Sequence, residues 1–178
     1  MARRQSLVDA LKGLLEPSEE PTAKEDPLRR AVEEQMPDAP EETRRLVTAV
    51  AGLLASLAYA DADYSEAERQ KVRQELGRMH GLTDSGVDTI CRILDTDIAV
   101  ITSGGDQTWI RDLRALTDYD QRLEVLEVLI ELAAADNDLS LAEVSYLRRL
   151  TGALGISQID YTAAQARHRE KLSLLRGD

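Results

Sequence analysis

The side chains best placed to do chemistry come in two matching acidic phrases. Residues 57–68 read Leu-Ala-Tyr-Ala-Asp-Ala-Asp-Tyr-Ser-Glu-Ala-Glu, and residues 132–143 read Leu-Ala-Ala-Ala-Asp-Asn-Asp-Leu-Ser-Leu-Ala-Glu. At an offset of 75 positions, eight of the twelve residues are identical. Each copy carries Asp-x-Asp-x-Ser-x-x-Glu, first as Asp61, Asp63, Ser65 and Glu68, then as Asp136, Asp138, Ser140 and Glu143. Clustered carboxylate and carbonyl oxygens suit a hard divalent cation such as Ca²⁺, Mg²⁺ or Mn²⁺. Asp61, Asp63, Glu68, Asp136, Asp138 and Glu143 are therefore the candidate metal ligands. Paired carboxylates also raise one another's pKa, which makes metal-assisted hydrolysis an alternative use.

An EF-hand would need Gly at loop position 6 and Glu at position 12. Those positions hold Glu66 and Val72 in the first copy, and Leu141 and Leu147 in the second, so an EF-hand is excluded. A different role needs no ligand. The run before each phrase is apolar at three- and four-residue steps: Leu46, Val47, Val50, Leu53, Leu54 and Leu57, then Leu126, Leu129, Ile130 and Ala133. That period predicts a helix ending at each Asp. The following Ser-x-x-Glu is a capping box that starts the next helix. Each phrase thus predicts a helix–corner–helix hairpin. A carboxylate in a last helical turn opposes the macrodipole, at about 0.3–1 kcal/mol. Asp61 and Asp136 must then either turn forward to the next helix or face a cation.

An apolar helix ending Ala-x-Ala-Asp, then a short corner and a Glu, with a second copy downstream, resembles the TerB-like (tellurite-resistance) family. Asp120-Gln121-Arg122-Leu123 before the second copy, and Arg148-Arg149-Leu150 with Leu154-Gly155-Ile156 after it, extend the likeness over about residues 41–175. The resemblance implies a compact all-helical bundle of pseudo-twofold halves. It implies a cytoplasmic protein tied to metal-oxyanion or general stress, an acidic surface suspected of holding metal ions, and no established reaction. Many members carry Gly after the corner Asp, where this chain has Ala62 and Asn137. Ala takes a left-handed backbone poorly, so a different path is expected at the first corner.

Composition agrees with helices. Hydrophobic residues make up 43%, led by Ala and Leu, while aromatics are 3% and Phe is absent. A net charge of −11 leaves no basic stripe for nucleic acid and suits cations or basic protein partners. Cys91 is the single cysteine, which rules out an internal disulfide and a thiolate zinc centre. Its neighbours Ile90, Ile93 and Leu94 predict a buried structural thiol. No run approaches a membrane span, and no secretory leader is evident, so a cytoplasmic location is expected.

The expected organisation has three parts. Residues 1–15 hold a short amphipathic helix with Leu7, Val8, Leu11, Leu14 and Leu15 on one face. These five are the candidate partner-docking residues. They could serve the chain's own bundle, a partner's groove or an anionic membrane surface. Residues 16–40 read as an acidic, proline-rich linker with a short helix at 27–36. Residues 41–176 form the bundle, of about seven helices in two related hairpins. Thr83-Asp84 and Asp118 start helices, and Gly81 and Gly155 end them. Ser103-Gly104-Gly105-Asp106 is a turn, since no Walker Lys-Ser or Lys-Thr follows. Trp109 plugs the bundle, and Ile159, Ala163, Ala166 and Leu172 line the last helix. His80 and His168 fall in no ligand pattern. The reading is a non-enzymatic scaffold or adaptor that binds a protein partner, with a divalent cation at the corners as its candidate cofactor. Its rivals are a plain interaction module, membrane-peripheral through the first helix, and a metal-dependent hydrolase.

Overall fold

The computed structural model describes residues 26–79, 81–134 and 140–176, the last eight as backbone alone. These residues form helices and no strand. Helix α1 (Pro27–Gln35) is capped by Asp26, whose carboxylate accepts from the Leu28 and Arg29 amides. Leu28, Ala31 and Val32 are buried in the core. A sequence boundary at residue 40 leaves this helix in the linker; its apolar face instead belongs to the bundle. The amphipathic helix expected at 5–15, with Leu7, Val8, Leu11, Leu14 and Leu15, lies outside the described residues.

Helix α2 (Glu41–Ala58) is the central member. From Val47 to Ala58 almost every side chain is buried, so this stretch is apolar on all sides and not on one stripe. Ala49, Ala51, Gly52, Ala55 and Ala58 keep it thin enough for neighbours to close in on several faces. Its broadest contact is with α5 (Asp106–Leu116), through Trp109. A Cβ built on Gly52 would lie 2.4 Å from the indole, and one on Gly105 would lie 2.1 Å from it. The Gly104-Gly105 pair therefore does more than turn the chain. Gly105 has an ordinary φ of −81°, and its bare Cα makes room for Trp109. Arg45 grips buried Asp112 on α5 at 2.5 and 3.3 Å, tying the same two helices together.

The first hairpin is α2 with α3 (Glu66–Gly77), and the second is α6 (Tyr119–Ala133) with α7 (Leu141–Ala153). Between them runs α4 (Asp84–Thr102), and α8 (Gln158–Arg176) closes the chain. The first helix of each hairpin packs on the second helix of the other: α2 on α7, and α6 on α3. Lys71 holds this second contact, 3.0 Å from Glu131 and 2.8 Å from buried Glu75. Thr83 and Asp118 cap α4 and α6 as expected, and Gly81 and Gly155 take the left-handed backbone at φ +93° and +72°.

The bundle expected at 41–176 holds the seven helices α2 to α8, and α1 packs with them. One further expectation needs correction. On α8 the buried residues are Tyr161 and Ala164; Ile159 is 80% exposed and Ala166 is exposed. The Tyr161 ring covers more apolar area than an alanine stripe can, and its hydroxyl accepts from Gln165 at 2.9 Å. The side chain of Leu172 lies outside the described residues.

Candidate functional site

The first corner shows what its acids do. Helix α2 stops at Ala58 with Tyr59 as its C-cap, so Asp61 lies beyond the last turn and escapes the macrodipole penalty expected of it. It turns forward: its carboxylate accepts the Asp63 amide at 3.0 Å, and Asp63 accepts the Tyr64 amide at 2.9 Å. Both aspartates are exposed. Ala62, between them, takes φ +66°, the one left-handed non-glycine among the described residues. The corner follows the path a glycine would favour, at a cost of about 1–2 kcal/mol to an L-residue, and not the different path expected from Ala.

Both capping boxes form. Ser65 accepts the Glu68 amide at 3.2 Å while Glu68 accepts the Ser65 amide at 2.7 Å. Ser140 and Glu143 repeat this at 3.1 and 2.8 Å. Glu68 and Glu143 are buried. They serve as buried caps, whereas Asp61 and Asp63 project outward, so the first phrase divides its acids between two environments. Asp136 and Asp138 lie outside the described residues, as does His80. Among the described residues no group of three or more His, Cys, Asp or Glu is placed to hold a metal. Ca²⁺ takes six to eight oxygens, and Asp61 with Asp63 does not make such a cage.

A cavity of about 440 Å³ opens where α2 meets α7. Tyr59 and Ala60 lead into the first corner and Ala142 follows the second, but Asp61, Asp63, Glu68 and Glu143 are not among its lining residues. Its polar side chains come from four helices: Ser56 and the C-cap Tyr59 of α2, Thr102 of α4, Asp106 of α5, and Ser145, Tyr146 and Arg149 of α7. Ser56 donates to Asp106 at 2.7 Å. The Tyr146 hydroxyl is buried beside these two, with no well-aligned partner among the described residues. Burial, with Asp106 nearby, pushes its pKa above the usual tyrosine range. The Arg149 guanidinium lies 5.7 Å over the Tyr146 ring, at the exposed mouth.

Sequence reasoning missed this cluster because no two of Ser56, Asp106 and Tyr146 share a motif. A signal existed in the repeat. At the 75-residue offset Ser56 corresponds to Glu131 and Tyr146 to Lys71. One inter-hairpin contact keeps an ion pair where the other has two hydroxyls and a cavity. Cys91 is buried, as expected, and burial pushes its thiol up. No helix among the described residues is long and apolar enough to cross a membrane.

Fold and caps together define an all-helical bundle of duplicated hairpins, the second helix of each opened by a Ser–Glu capping box. The chain matches the family described as "Tellurite resistance protein TerB" over residues 47–166, more than half its length, and it belongs to that family. No curated protein and no solved structure matches it.

Proposed function

We propose that this chain is a non-enzymatic docking scaffold of the TerB family, associated with tellurite or general stress. One observation carries the reading: the acids that the sequence marks as reactive are committed, where described, to backbone amides of their own corners. Such corners give rigid joints between helices, and the −11 charge favours a partner with a basic face. Residues Leu7, Val8, Leu11, Leu14 and Leu15 supply a second contact, to a protein or to a membrane surface.

A second reading adds a cation at the corners. Exposed Asp61 and Asp63 flank the strained Ala62, and strain held at a turn often accompanies a ligand. Calorimetric titration of the native protein and of Asp61→Asn/Asp136→Asn with Ca²⁺, Mg²⁺ and Mn²⁺ separates the two. The scaffold reading without metal expects no heat that depends on these aspartates. Heat lost in the variant selects the cation-responsive form. Turnover of a phosphoester that disappears in the same variant would overturn both. Deleting residues 1–26 and repeating liposome flotation tests the membrane contact; flotation unchanged by the deletion removes it.

A further inference from the structure

The cavity between α2 and α7 has a chemistry of its own. Each hydroxyl carries one proton, and three here are already committed: Ser56 to Asp106, Thr102 to the Ile98 carbonyl at 2.8 Å, and Ser145 to the Leu141 carbonyl at 2.7 Å. Those oxygens can offer only lone pairs to a visitor. Asp106 adds a carboxylate. The lining is therefore rich in acceptors and calls for a donor with positive charge. A hard divalent ion prefers several carboxylates, and this cavity has one, so an N–H cation fits better. The buried Tyr146 hydroxyl lies beside Ser56 and Asp106; with its one proton turned to Asp106, its lone pairs add to the acceptors.

The repeat supplies independent support. In the related contact between α3 and α6, a cation is built in: the Lys71 ammonium lies between Glu131 and Glu75. At the offset of 75, Lys71 is replaced by Tyr146 and Glu131 by Ser56. This second contact keeps an acid, now Asp106 from α5, but has no lysine of its own at the matching position. Arg149 at the mouth then favours an anionic group at the ligand's other end. The volume falls within the range of about 300–1,000 Å³ typical of small-molecule sites.

We propose that this cavity binds a small zwitterion, its primary ammonium on Asp106, Ser56 and Tyr146 and its acid group at Arg149. The test uses the full chain and three probes: 4-aminobutyrate, n-butylamine and butyrate. Trp109, the sole tryptophan, packs on Gly105 next to Asp106, so its emission reports on the cavity, and the Gly104 and Gly105 amide resonances report independently. The expected result is saturable binding of 4-aminobutyrate, weaker binding of n-butylamine and none of butyrate. Asp106→Asn should weaken 4-aminobutyrate by about tenfold or more. Arg149→Met should weaken 4-aminobutyrate and leave n-butylamine unchanged. Arg149 is exposed, so this variant decides the matter even if Asp106→Asn fails to fold. Three results overturn the proposal: no amide shift at about 50 mM of 4-aminobutyrate, butyrate binding as tightly as 4-aminobutyrate, or unchanged affinity in Arg149→Met.

Discussion

Gly52→Ala sets two effects of opposite sign against each other. By helix propensity the change stabilises, because alanine is favoured over glycine in a helix interior by about 1 kcal/mol. Packing opposes it. The new Cβ would lie 2.4 Å from Cδ2 and Cε2 of Trp109, where carbon atoms prefer about 3.5–4.0 Å. Something must move by roughly 1 Å. Trp109 is 2% exposed, and Gly105 closes on it as well, with a built Cβ only 2.1 Å away. The indole has no free side to yield toward. Overpacking of this kind costs about 1–3 kcal/mol and sometimes more, and with so large an overlap the upper end applies. The net loss should be about 1–2 kcal/mol. Urea unfolding followed by far-UV circular dichroism measures it. Gly152→Ala on α7 is the control: its Cβ would meet nothing within 4 Å, so it should gain about 0.5–1 kcal/mol. A double-mutant cycle with Trp109→Leu should return most of the Gly52→Ala loss. If Gly52→Ala matched or exceeded the native protein in stability, the clamped-indole argument would be wrong.

Ser65→Ala and Ser140→Ala should each lose about 1 kcal/mol, since each removes the hydroxyl that accepts the Glu68 or Glu143 amide in the first turn of α3 or α7; unchanged denaturation midpoints would deny the caps their structural role. Ala62→Gly should gain about 0.5–1 kcal/mol by relieving the left-handed alanine, less the extra freedom glycine has when unfolded; a loss in the same melt would show that the corner is not strained. Burial, the largest cause, raises the Cys91 pKa, so iodoacetamide at a pH of about 8 should label the native protein far more slowly than the urea-unfolded chain. Because the folded value is the raised one, its share of stability is whole below the unfolded thiol's pKa of about 8.5 and is lost as pH rises through the folded value. Cys91→Ala should flatten that alkaline decline.

The helices and their ends were legible in the sequence because both depend on near neighbours. An apolar step of three or four residues needs only one helix to be read, and Ser65 with Glu68, or Ser140 with Glu143, meet across a single turn. Gly81 and Gly155 could be placed for the same reason, since a left-handed stop is a property of one residue. Tertiary packing decided the rest. It drew α1 into the core, where Leu28 and Val32 have no exposure. It buried Tyr161 in place of Ile159, a choice between two faces of α8 that only α6 and α7 could make. It explained Gly105 by a side chain four residues away and Gly52 by one on another helix. Above all it joined Ser56 to Asp106, fifty positions apart, and laid Tyr146 beside them. A hydrogen bond between separate helices depends on how those helices cross, and no local pattern of residues encodes a crossing.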